Sequence, residues 1–141
     1  MAANGHPIGL ERVLFTRSVV IAVPEHVPNG DVINGIAPEN AIDINQMDGE
    51  PGKYQAVMRS KLNASGDPSF PYIIDMECIA VLTADDTLSQ ELAARGVMIT
   101  AHSVLYGAIR EAVAWITGRQ PFGQLMLGLS VLQGSSAPEQ K

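Results

Sequence analysis

Residues 54–83 read YQAVMRSKLNASGDPSFPYIIDMECIAVLT, and their periodicity decides the fold class. Tyr54, Ala56, Met58, Ser60, Leu62 and Ala64 alternate with Gln55, Val57, Arg59, Lys61 and Asn63. That is the two-residue period of a strand with one packed and one wetted face. The run SGDPS at 65–69 supplies turn residues. A second strand over 70–83 then places Tyr72, Ile74, Met76, Cys78, Ala80 and Leu82 on one face. Strands joined by so short a turn pair antiparallel. Asp75 and Glu77 on the opposite face come within reach of Arg59 and Lys61, a cross-strand contact worth less than about 1 kcal/mol.

Upstream, residues 10–23 (LERVLFTRSVVIAV) lie between a Gly and a Pro and have the β-branched, apolar composition of a long strand. From Pro24 to Gly52 the chain becomes a Pro- and Gly-rich connection with six acids and no Lys or Arg. Inside it Ile42 and Ile44 share one face of a short edge strand. Downstream of Leu82 the period changes to that of a helix. Thr87 and Gln90 have capping-box spacing, which predicts a short helix to about Arg95 with Gly96 as its C-terminal cap. Thr100 then caps a longer helix ending near Gly118, with Val104, Leu105, Ala108, Ala112, Val113 and Ile116 as its apolar stripe. Gly107 inside it costs about 1 kcal/mol relative to Ala and marks a kink or a close approach of another backbone. Strands followed by helices predict an α+β fold rather than a parallel βαβ sheet.

The chain of 141 residues is one domain in length. Residues 10–132 are expected to form it, with flexible ends at 1–9 and 133–141. Charged residues make up only 17% and hydrophobic residues 46%, which points to a partly apolar surface. A net charge of −6 without clustered cations disfavours nucleic-acid binding. No continuous apolar run approaches the length of a membrane helix, and the N-terminus lacks a signal core, so a soluble, cytoplasmic protein is expected. The single cysteine, Cys78, excludes an internal disulfide and reads as a small core residue.

Little in the chain has the spacing of catalytic chemistry. His6, His26 and His102 are scattered, so no metal site is expected. Nucleophile-elbow and phosphate-loop motifs are missing. His102, Tyr106 and Arg110, one helical turn apart, form the most enzyme-like line, with Glu111 beside it. Polar edge residues of a half-buried helix explain that line more simply, and no enzymatic activity or cofactor is expected. Asp85 and Asp86 sit where a helix start favours acids. The unusual residues are apolar: Leu125, Met126, Leu127, Leu129, Val131 and Leu132 are too many for one short strand to hide, and Ile42 and Ile44 lie in an acidic connection. Such surfaces serve self-assembly or a partner.

Residues 104–129, VLYGAIREAVAWITGRQPFGQLMLGL, resemble the protein-export chaperone SecB through Leu105, Tyr106, Arg110, Glu111, Phe122, Gln124, Leu125 and Leu127. Looser matches are LERVLFTRSVVIAVP, AIDIN and YQAVMRSKLNASGD. The resemblance implies a four-stranded antiparallel sheet with one long and one short helix on one face, in a homotetramer built as a dimer of dimers. It implies an ATP-independent holdase that keeps unfolded or partly folded polypeptides in apolar grooves during protein export. Carried over by position, client binding falls to Ile42, Ile44, Leu125 and Leu127. Gly107 and Gly123 stand where the family has Pro. The outer-sheet acids that the family offers to the translocation ATPase have Ser18, Ala22 and Ile73 at their approximate equivalents, so docking to that ATPase is expected to be weak or absent. A shortened C-terminal region also fits a SecB-like protein dedicated to one partner, such as an antitoxin, a phage protein or a regulator.

Overall fold

In the computed structural model, residues 7–28 and 34–130 are described. His6, Val131, Leu132 and nearly all of the expected flexible ends lie outside the described residues. The elements are β1 (Ile8–Ala22), β2 (Glu39–Gln46), β3 (Lys53–Leu62), β4 (Tyr72–Ala84) and α1 (Gln90–Thr117). All pairings are antiparallel, in the order β1-β4-β3-β2. The β3/β4 hairpin is central, as its alternation requires. Tyr54, Ala56, Met58 and Ser60 of β3 and the six alternating residues of β4 from Tyr72 to Leu82 are buried on one face. Cys78 is among them. Arg59 reaches Asp75 through both carboxylate oxygens at 2.8 and 2.9 Å, and Arg17 of β1 joins the same carboxylate at 2.8 Å. Lys61 makes no ion pair among the described residues.

β1 starts at Ile8, two residues before its expected start, and bulges between Leu10 and Arg12 and between Phe15 and Arg17. Its register corrects the expected outer face. Ser18 and Ala22 pair with Met76 and Tyr72, whose side chains are buried, and Ser18 shares the parity of Val20 and Ala22, which pack on the core. Ser18 and Ala22 therefore face the helix side. Of the three positions only Ile73 lies on the outer face, with Ile21 opposite it on β1 and Val19 next along that face.

The two expected helices are one. α1 runs unbroken from Gln90 to Thr117, capped by Ser89, whose hydroxyl accepts from the Leu92 amide at 3.2 Å. Thr87 stands before the helix, its amide donating to Asp85 at 2.9 Å in a side-chain-closed turn. Gly96 is not a cap: a Cβ there would lie 3.1 Å from the Ile8 side chain, so the glycine admits β1 against the helix. The buried stripe is Ala93, Val97, Ala101, Leu105, Ile109, Val113 and Thr117, one per turn. It is rotated from the expected one, leaving Val104, Ala108, Ala112 and Ile116 half-buried. Gly107 faces outward with nothing within 4 Å of a Cβ. With its two parts joined, α1 is long and apolar enough to cross a membrane by length and composition, at mean hydropathy 1.3. In this fold it lies on β4, β1 and β3.

Candidate functional site

α1 does not cover the β2 side of the sheet. Residues 123–130, an extended segment after the helix, fill that flank and are called the strap below. Each of its contacts has a local cause. Thr117 is buried with its hydroxyl donating to the Val113 carbonyl, and its oxygen accepts the Leu125 amide at 2.8 Å, turning the chain back along the helix. Tyr106 and Arg110 come one turn apart on the strap side of α1. The tyrosine hydroxyl donates to the Gly128 carbonyl, and Arg110 Nε donates to the Leu127 carbonyl at 2.9 Å. Burial pushes the Tyr106 pKa up, against a smaller lowering by Arg110, so the hydroxyl stays a donor. On its other edge the strap pairs with the crossover connection. Gly35 donates to the Met126 carbonyl and Gly128 to the Ile36 carbonyl, both at 2.9 Å, and the Met126 amide donates to Asn34 Oδ1 at 2.8 Å.

Side chains alternate over residues 125–127: Leu125 and Leu127 are 0% and 1% exposed and Met126 points outward, whereas Leu129, of the same parity as the two leucines, is 79% exposed and ends the alternation. Gly128 is demanded by geometry, because a Cβ there would lie 2.3 Å from the Gly35 carbonyl oxygen. A polar chain closes the end: Ser130 Oγ lies 3.2 Å from His102 Nε2 and accepts from Asn40 Nδ2 at 3.0 Å, and Asn40 Oδ1 accepts from Ser60.

Two apolar shoulders flank the strap. On the β2 side Ile42 and Ile44 are half-buried, pair with Met58 and Ala56, and pack on the core along one side only. Among the described residues the far edge of β2 has no strand partner. On the helix side lies an open groove of about 360 Å³ lined by Gly107, Arg110, Glu111, Ala114, Trp115 and Met126. Trp115 is 60% exposed there, with the Arg119 guanidinium 3.9 Å over its ring.

Of the four expected client-binding residues, the fold leaves Ile42 and Ile44 partly open and seals Leu125 and Leu127 in the core of the single chain. That corrects the expectation of an open surface at both leucines, since the strap turns them inward. The line of His102, Tyr106 and Arg110, read from the sequence as polar edge residues of a half-buried helix, is a set of holding contacts: His102 meets Ser130, and Tyr106 and Arg110 grip carbonyls. Trp115 lies outside every expected binding position, and Met126 is expected only as part of the apolar surplus of the tail segment. An exposed Trp on a helix face shared with Gly107 and Glu111 was the available signal. Among the described residues no group of three metal-binding side chains occurs.

No protein-family model and no curated protein matches this chain. Among solved structures it matches the SecB-like chaperone Rv1957 of Mycobacterium tuberculosis, solved in complex with a ChAD peptide from the antitoxin HigA1 (Rv1956). The likeness covers 89% of this chain and 91% of that one, with a TM-score of 0.52 and 19% identity. The fold is that of a SecB-like chaperone. Its sheet and long helix agree with the expected architecture, and the expected short helix is the first part of α1.

Proposed function

We propose that this protein is a cytoplasmic, ATP-independent holdase that binds non-native polypeptides along the apolar flank between β2 and α1, as in protein export, and is not an enzyme. The observation that carries the reading is the flank itself: Ile42 and Ile44 stand half-open on an unpaired strand edge beside the strap, in a fold whose solved neighbour is a chaperone with a peptide bound. Burying client side chains there contributes roughly 25 cal/mol per Å², and edge amides add direction without selecting a sequence. Contacts of this kind need no cofactor.

Suppression of aggregation of a heat-unfolded test protein, at stoichiometric chaperone and without nucleotide, is the expected outcome. Ile42→Ser together with Ile44→Ser should weaken client binding by roughly 1–3 kcal/mol. Because both residues also touch the core, binding is to be compared well below the variant's melting temperature. Unchanged affinity in a folded variant removes β2 from the site.

A second reading, a protein dedicated to one partner, is favoured by the neighbour's antitoxin-peptide complex. Identification of proteins captured from lysate separates the two: many unrelated chains support the general holdase, one stoichiometric chain the dedicated form. Docking to the translocation ATPase is expected to be weak in either case. The outer-face acid Asp75 is engaged by two arginines, and Glu77 accepts from the Thr16 hydroxyl at 2.7 Å. Submicromolar, salt-sensitive binding in titration calorimetry would reverse this.

A further inference from the structure

Segments that lie in a general polypeptide-binding groove have recognisable features: extended backbone, alternate side chains buried, carbonyls and amides held by groups indifferent to sequence. The strap has all of them. Leu125 and Leu127 are buried at two-residue spacing with Met126 between them turned out. Its carbonyls at 127 and 128 are held by Arg110 and Tyr106 of the helix, and its carbonyl at 126 and amide at 128 by the crossover backbone. None of these contacts reads a strap side chain. Between its two ends, where Gln124 donates to the Ala114 carbonyl and Ser130 meets His102 and Asn40, only the small residue at 128 is specified, by the Gly35 carbonyl.

We infer that the strap is an intramolecular stand-in for client: it occupies a groove whose ligand in trans is an extended segment with aliphatic side chains two residues apart followed by glycine. The inference rests on the holdase reading and adds a site that opens only when the strap leaves. Ile42, Ile44 and Trp115 then mark the entrances at either side, and the buried pockets under Leu125 and Leu127 are the deeper part. A ligand that competes with a tethered occupant binds with its intrinsic affinity reduced by the fraction of molecules in which the groove is open. Weakening the strap therefore strengthens client binding. If Leu125 and Leu127 themselves formed the wall of the groove, the same change would weaken it, so the two arrangements differ in sign.

The full chain carrying Leu125→Ser and Leu127→Ser is compared with the unaltered chain for binding of a reduced, alkylated, permanently unfolded test protein. About tenfold tighter binding is expected, reflecting a larger open fraction. Because these replacements also remove buried apolar contacts, amide hydrogen exchange is followed in the unaltered chain as well. Saturating client should speed exchange at Leu125 and Gly128, whose bonds to Thr117 and Ile36 are lost, while Gly35, which donates to whichever segment is seated, and Met58 and Cys78 in the central hairpin stay protected. Weaker binding by a folded variant, or client binding that leaves Leu125 and Gly128 as protected as before, overturns the inference and leaves the holdase reading standing. Absence of client binding by both forms overturns both.

Discussion

Gly107 and Gly128 give opposite expectations from the same substitution. At Gly128 an added methyl meets the Gly35 carbonyl at 2.3 Å, and backbone must move because neither partner has a flexible end to yield. Gly128→Ala should destabilise the protein by about 1–3 kcal/mol, as overpacking does. Gly107 lies mid-helix with open space around it, so Gly107→Ala should stabilise the protomer by about 0.5–1 kcal/mol through backbone entropy alone. Urea midpoints of the two variants check both. Cys78 is wholly buried, and desolvation pushes its thiol up to about 11. Thiol reagents at neutral pH should therefore label it only as fast as the central sheet opens, with labelling accelerating in denaturant. Asp75 supplies the acid limb of stability. Arg59, then Arg17, holds its pKa at about 2 against an ordinary 3.8. The folded value is the lower one, so the stabilisation is complete above about pH 4 and is lost as the pH falls toward 2. Both arginines are partly exposed, which limits the effect to roughly 1 kcal/mol. Urea midpoints measured from pH 5 to 2 should fall less steeply for Asp75→Asn.

At the scale of elements, what the sequence revealed depended on whether an element's partner left a trace in its own periodicity. The β3/β4 hairpin did, because both strands bury one face against the same helix and their alternation records it. Ile42 and Ile44 did as well, since two isoleucines in an acidic connection have no other local explanation. Gly96 misled because a glycine after a helical turn reads as a cap, and its actual cause, the Ile8 side chain at 3.1 Å, comes from a strand more than 80 residues earlier. That one glycine split α1 into two expected helices and hid a segment of membrane-crossing length. The strap was the least legible part. LMLGLS has no strand partner of its own length, and its seat is built from Thr117, Arg110, Tyr106 and Asn34, whose side chains converge only after α1 is laid on the sheet. Its apolar surplus was visible; the direction in which Leu125 and Leu127 point was not. The same holds for His102, Tyr106 and Arg110, whose one-turn spacing was apparent and whose common partner, the strap, was not: Tyr106 and Arg110 hold its carbonyls and His102 its Ser130 hydroxyl.

For the whole molecule, the open question in physical terms is what covers β1. It is a 15-residue edge strand, and Leu10, Leu14, Phe15 and Ile21 are all exposed along it. Edge strands of this length and apolarity are protected by charge, bulges or a partner. The charges at Arg12 and Arg17 and the two bulges interrupt the edge without shielding those four residues. A second copy is the proposed cover, and sedimentation at micromolar concentration should show a dimer or a larger species. Leu14→Lys, placed where the side chain is half exposed and contributes little to the protomer, should weaken that association at least about tenfold, or 1.4 kcal/mol. The dimer of dimers expected from the SecB resemblance would need a second surface, and the outward ridge of α1, with Ile99 and Trp115 exposed and Gly107 open between them, is proposed for it. A Cβ at position 107 meets nothing within 4 Å, and Gly107→Leu places a bulky side chain where two helices would meet. It should convert tetramers to dimers without lowering the melting temperature, whereas Leu14→Lys should remove the dimers themselves. If both variants sediment as the unaltered chain does, β1 and α1 face solvent or another protein, and the assembly proposed from them is wrong.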